Sequence, residues 1–147
     1  MDDHEWLRLA CDLAGLCPPS STAFSVGAVV VGADGVEIAR GHSRETGPHL
    51  HAEEVALSRV SPGDPRLPGA TVYSSLEPCS VRHSRPVPCS TLIIGSGVRR
   101  VVLAWREPLL FVDCRGAEEL TAAGVTVLEI PGLAEAARRP NAHLLAS

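Results

Sequence analysis

A chain of 147 residues is long enough for one domain with a real core and too short to suggest several. Hydrophobic residues make up 45% and charged residues 20%, which fits a globular protein, and no apolar run is long enough to span a bilayer. The net charge of −4 and the lack of a basic stripe argue against a nucleic-acid binder. The acidic start Met1-Asp2-Asp3-His4-Glu5 argues against a targeting peptide, so a cytoplasmic location is expected. Five cysteines, an odd count with no secretory signal, argue against a disulfide framework.

In chain order, residues 4–16 place Trp6, Leu7, Ala10, Leu13 and Ala14 on one face at helical spacing, and Gly15 with Pro18-Pro19 stops that helix. Val26–Val31 is a continuous apolar run, read as a buried strand; Gly32-Ala33-Asp34-Gly35 turns it, and Val36–Gly41 returns as the second strand. Thr46–Leu50 is a loop. A helix is predicted from His51 to about Val60, with Pro62, Pro65 and Pro68 forbidding its extension. Ala70–Ser74 is a third strand that leaves through Leu76-Glu77-Pro78-Cys79. Cys89–Gly95 reads as a helix opened by Pro88, Val98–Ala104 as the fourth strand, Ala117–Ala123 as a helix stopped by Gly124, and Val125–Ile130 as the fifth strand. Residues 131–147, rich in Ala, Arg and Pro, are expected to form a partly helical or loose tail. Strands alternating with helices imply a single α/β domain over 1–147, a three-layer sandwich of one mixed five-stranded sheet with helices on both faces.

The chemistry is concentrated in His51-Ala52-Glu53, Pro78-Cys79 and Cys89. One imidazole and two thiolates leave the fourth position of a tetrahedral Zn²⁺ open for water, and Glu53, not needed as a ligand, can move that water's protons. An H-x-E with a later P-C and a second Cys is the pattern of zinc sites that hydrolyse an amino group from a nucleobase-type ring. Two thiolates cancel the formal charge of Zn²⁺ and weaken its acidifying effect, so a general base gains importance. Glu53 would take a proton from water, hand it to a ring nitrogen and later protonate the departing amine. At the first turn of a helix both His51 and Glu53 can border one cavity.

Several residues carry alternative readings. Glu54 points about 100° further round the helix and reads as a surface carboxylate. Glu77, before Pro78, is expected to hold the turn or a helix end. His42 is either a substrate contact or an ordinary loop histidine. The segment between the two cysteines carries Arg82, His83 and Arg85. For Arg82 and His83 a substrate phosphate or carboxylate competes with a solvated loop; Arg85 is favoured as functional. The metal has a rival reading too, a structural zinc closed by a fourth ligand, with His49 and His83 nearby in sequence. Cys11, Cys17 and Cys114 are expected to pack as small apolar residues.

On these motifs the chain resembles the cytidine-deaminase-like superfamily over nearly its full length, and within it the pyrimidine deaminase domain of bacterial riboflavin biosynthesis. The resemblance is carried by Val26-Gly27-Ala28-Val29-Val30, Gly41-His42 with Gly47-Pro48, His51-Ala52-Glu53 and Leu76-Glu77-Pro78-Cys79-Ser80. It continues through Arg85, Pro88-Cys89, Gly97-Val98-Arg99-Arg100-Val101-Val102 and Leu120-Thr121-Ala122-Ala123-Gly124-Val125. It implies His51, Cys79 and Cys89 as ligands of one Zn²⁺ and Glu53 as the proton shuttle. It also implies a substrate contact from Arg85 and a homodimer or higher homo-oligomer.

The pocket departs from that family. Thr22-Ala23-Phe24 stands where it usually has Pro-Asn-Pro, and Phe24-Ser25-Val26-Gly27-Ala28 is instead similar to the nucleoside cytidine deaminases, whose Phe lies by the base. Glu107-Pro108-Leu109 replaces Asp-Pro-Asn, and the loop between the cysteines, nine residues, is one longer than usual. The expected substrate contacts are Phe24, His42, Ala52, Arg82, His83, Arg85 and Glu107. The expected substrate is a small amino-heterocycle, either a riboflavin-type aminopyrimidine or a cytosine, cytidine or guanine-type base. A nucleic-acid strand is disfavoured, and a catalytically silent zinc-bound scaffold is the alternative from another class.

Overall fold

The structure, a computed structural model, describes residues 1–79, 87–106 and 115–145. Helix α1 (Asp3–Ala14) starts one residue earlier than its apolar face predicts because Asp2 and Glu5 cap each other's backbone N–H groups. Strands β1 (Gly27–Val31) and β2 (Glu37–His42) form the expected hairpin, with Gly35 at φ 79° in its turn. Helix α2 (Ala52–Ser58) follows, then β3 (Thr71–Ser74), α3 (Cys89–Ser96), β4 (Arg100–Leu103), α4 (Gly116–Ala122) and β5 (Thr126–Glu129). β4 and β5 are shorter than their apolar runs. Val98 and Val125 belong instead to the turns, buried just after Gly97 and Gly124, which both take φ 89° to end α3 and α4.

The sheet runs β2-β1-β3-β4-β5, with β1 antiparallel to β2 and β3, and β3, β4 and β5 mutually parallel. Alternation across the pleat divides the core in two. Ala28, Val30, Val72 and Val101 meet Ala52, Ala56, Ile93 and Leu120 of α2, α3 and α4 on one face. Val29, Val31, Tyr73 and Val102 meet Trp6, Leu7, Ala10 and Cys11 of α1 on the other. This is the three-layer sandwich expected, and it explains why β1 is apolar at every position: both its faces are covered. Cys11 is buried as expected, whereas Cys17 is only half-buried and directs its Sγ at the Val26 carbonyl, 3.5 Å away.

The tail is not loose. Short helical pieces, including α5 (Ala134–Arg138) and α6 (Ala142–Leu145), dock back on the domain. Leu133 and Ala137 join the core beneath α1, and Asn141 is fully buried. No helix among the described residues is long and apolar enough to cross a membrane.

Candidate metal centre

Parallel β3 and β4 direct their C-terminal ends to one edge of the sheet, and the segments leaving that edge build the site. His51 caps α2 in an extended conformation (φ −87°, ψ 157°), so it lies outside the helix and Glu53 sits in its first turn. This is how residues two apart come to border one cavity. Gly41 lets α2 sit directly on β2, since a Cβ there would stand 2.8 Å from the Ala56 nitrogen. Cys79 follows β3 through the Pro78 turn, and Cys89 is the first residue of α3. That helix start binds the preceding segment: Ser90 N–H donates to the Cys79 carbonyl at 3.0 Å and Cys89 N–H to Cys79 Sγ at 3.4 Å.

The sulfurs of Cys79 and Cys89 each lie 3.5 Å from His51 Nδ1, and the three donor atoms fall within 4.8 Å of one another. Tetrahedral zinc with ordinary Zn–S and Zn–N bonds has an N···S edge of about 3.5 Å, so the donor set fits the ion. Among the described residues no fourth His, Cys, Asp or Glu joins this group. His49 is exposed and outside it, and His83 lies outside the described residues.

Electrostatics at the site follow from burial and proximity. The Cys79 thiol is held down to about 4, first by its hydrogen bond with Cys89, with His51 adding to this against burial. Glu53 is buried, and its carboxyl is pushed up to about 7, first by burial and then by the charge of Cys79, while His51 pulls it down. Ser74 Oγ stands 3.5 Å from Glu53 Oε1 but gives its proton to the Leu76 carbonyl at 2.7 Å.

The other predicted residues are placed as follows. Glu54 is not a plain surface carboxylate. It is half-buried, and its Oε1 accepts from His51 N–H at 3.4 Å, closing the helix start that carries the ligand. Glu77 does hold a helix end: its Oε2 accepts from Ala117 N–H at 2.9 Å in the first turn of α4. Ala52 is buried in α2 beside Glu53. Phe24 is buried edge-on against Trp105. His42 Nδ1 bonds the Ser43 carbonyl at 3.1 Å and its Nε2 lies 3.7 Å from Glu45, so its ring is engaged by its own loop. Arg82, His83, Arg85, Glu107 and Cys114 lie outside the described residues. Sequence reasoning missed Arg44, Trp105 and Asn141, whose contacts are described below. Arg44 is a non-glycine residue at φ 58°, and only a structure reveals that.

Fold and donors together define a zinc-binding α/β domain whose protein shell leaves one tetrahedral position unfilled by described residues. The family model described as the cytidine and deoxycytidylate deaminase zinc-binding region matches residues 1–105, and the chain belongs to that family. It is 41% identical over 128 residues to a diaminohydroxyphosphoribosylamino-pyrimidine deaminase of Schizosaccharomyces pombe, covering 86% of this chain and 31% of that protein. It is 37% identical over 129 residues to the riboflavin biosynthesis protein RibD of Aquifex aeolicus, covering 85% and 34%. The chain thus spans about a third of the length of the curated relatives it matches. Among solved structures, RibD of Acinetobacter baumannii superposes with a TM-score of 0.82 at 30% identity, over 97% of this chain and 38% of that one. A C-terminal deletion mutant of Aspergillus oryzae Rib2 deaminase superposes at 0.79 and 25% identity, over 99% and 97%.

Proposed function

We propose that this domain hydrolytically deaminates a small amino-heterocycle of the phosphoribosyl-aminopyrimidine type, with one Zn²⁺ held by His51, Cys79 and Cys89 and Glu53 as the proton shuttle. The observation that carries this reading is a buried carboxylate, outside the donor group, in the first turn of the helix that His51 caps, with three donors spaced for zinc and a fourth position that no described residue fills. When bound, zinc supplies an acidified water as the nucleophile. Glu53 accepts a proton at a carboxylate oxygen and delivers it to a ring nitrogen of the substrate, which makes the amino-bearing carbon more electrophilic. It then protonates the amine, and ammonia leaves. One carboxylate serves both steps in turn: the first proton of the water goes to the ring nitrogen and stays there, and the second, released as the new C–O bond becomes a carbonyl and the C–N bond breaks, passes through Glu53 to the amine. The burial of Glu53 keeps bulk water from short-circuiting the transfer.

The relatives' names support the aminopyrimidine class. A panel assay tests it: ammonia release from phosphorylated aminopyrimidines, free bases and nucleosides by the zinc-loaded protein. Turnover confined to the phosphorylated aminopyrimidines supports the reading. Turnover of cytosine, cytidine or guanine instead replaces the substrate class, and no turnover at all favours a silent zinc scaffold. A homo-oligomer accompanies the proposal on the strength of the resemblance, and sedimentation of the zinc-loaded protein tests it.

A further inference from the structure

The docked tail ends against the same edge of the sheet that carries the donors. Backbone bonds connect the segments there: Ser75 N–H donates to the Gly27 carbonyl at 3.0 Å, and Glu77 N–H, two residues ahead of Cys79, to the Trp105 carbonyl at 2.8 Å. The Trp105 ring meets Phe24 edge-on, with centroids 5.6 Å apart and planes at 79°. This aromatic pair shares a core cluster with Ala52 and Leu76, and one hydrogen bond ties Trp105 to the segment that delivers Cys79.

The Phe24-Ser25 end of that pair is held from two sides. Asn141 accepts from Ser25 N–H at 2.6 Å through Oδ1 and donates from Nδ2 to the Ser25 carbonyl at 3.0 Å. One donor and one acceptor exchanged with a single residue is how a strand neighbour pairs. From the other side, Arg44 donates to the Phe24 carbonyl at 3.2 Å and to Ser25 Oγ at 2.7 Å, while its backbone N–H donates to the carbonyl of Leu50, next to His51. The tail adds Arg138, its guanidinium 5.9 Å from the Trp105 centroid, and His143, whose Nε2 donates to the Ser20 carbonyl at 2.6 Å. Asn141 is 1% exposed, and its Nδ2 also reaches the Ala137 carbonyl at 3.3 Å. A leucine of similar bulk would give the tail an apolar anchor without the desolvation cost of a buried amide. What the amide adds is a defined position for Ser25.

We propose that Asn141, with Arg44 opposite it, is a positioning residue for substrate binding: it fixes Phe24-Ser25 so that Phe24 and Trp105 keep the wall against which the heterocycle lies. This rests on the deaminase reading and gives the tail, beyond the 1–105 family match, a part in the site. The test uses Trp6→Phe as parent, which leaves Trp105 as the one indole. Zinc-loaded Asn141→Ala and Asn141→Asp are compared with it; the aspartate keeps the shape but, ionised, cannot donate to Ser25. Acrylamide quenching of Trp105 is expected to rise about twofold or more, with zinc content unchanged. With a phosphorylated aminopyrimidine as probe, KM is expected to rise about tenfold while kcat changes less than about threefold. Unchanged quenching and KM, with only a lower Tm, overturns the proposal and leaves Asn141 a plain structural residue. A parent that releases no ammonia sinks the deaminase reading, while the quenching result still decides whether Asn141 holds the wall. If the Asn141 variants do not fold, Arg44→Gly removes the opposite half of the clamp and relieves the positive φ; an undisturbed Trp105 and KM there overturn the proposal equally.

Discussion

Gly116→Ala is the sharpest probe of how the metal centre is supported, because Gly116 touches no donor. A Cβ at Gly116 would stand 1.7 Å from the Pro78 carbonyl oxygen and 2.9 Å from its carbon. Both are backbone atoms, so no side-chain rotation relieves the clash, and the gap must open by more than an ångström. Pro78 precedes Cys79, and metal sites tolerate ligand displacements of only about 0.2 Å. Even a shift shared equally between α4 and the Pro78 turn exceeds that tolerance. Overpacking of this kind costs about 1–3 kcal/mol, which for a chain of this size lowers Tm by roughly 5 °C. Zinc affinity is expected to fall by about 10–100-fold, as for loss of a group that orients a ligand. Gly132→Ala is the matched control, since nothing lies within 4 Å of its Cβ and its φ is not positive. Calorimetry of the apo protein and competition with a chromophoric chelator read the two effects. A Gly116→Ala protein that binds zinc as the parent does, at the control's Tm, refutes the reasoning.

Glu53→Gln keeps the shape of the side chain but cannot carry the proton. It is expected to retain one zinc per chain and lose about 10²–10⁴-fold in ammonia release, measured by a coupled assay beside metal analysis. Cys89→Ala removes a donor and is expected to lose metal and thermal stability together, so that added zinc no longer raises Tm. At the opposite end of the sheet, the Arg100 guanidinium, and then Tyr73, hold the Asp3 carboxyl below its usual range against burial. A depressed carboxylate stabilises the fold above its unfolded pKa of about 3.9, and that contribution fades as pH falls through the lower folded value. Both partners are more than a third exposed, so Asp3→Asn is expected to cost no more than about 1 kcal/mol at pH 7. Urea titrations from pH 7 to pH 2 should show the gap closing in acid, and a pH-independent gap would contradict the assignment.

The parts of the molecule legible in the sequence are those where residue type alone limits what the position can do. An unbroken Val26–Val31 run has to be covered on both sides, and one imidazole, two thiols and a spare carboxylate have few joint uses. Strand ends were less legible, because Val98 and Val125 look like strand but follow left-handed glycines and plug turns. Glu54 did carry a signal, three residues after the His51 cap, but histidine is not among the residues that usually announce a helix start. The docking of the tail was invisible. Its helical pieces are too short to show a period, and Asn141 acts on Ser25, 116 residues away, through backbone groups that every residue shares. Arg44 was hidden for the same reason, since its guanidinium bonds carbonyls as well as the Ser25 hydroxyl.

X-ray absorption at the zinc edge on the purified, zinc-loaded protein addresses the centre most directly. The expected shell is two sulfurs at about 2.3 Å and two lighter atoms at about 2.0–2.1 Å, one of them from His51 and the other exchangeable with solvent. A shell closed by four protein donors, a sulfur count other than two, or a protein that retains no stoichiometric zinc would contradict it.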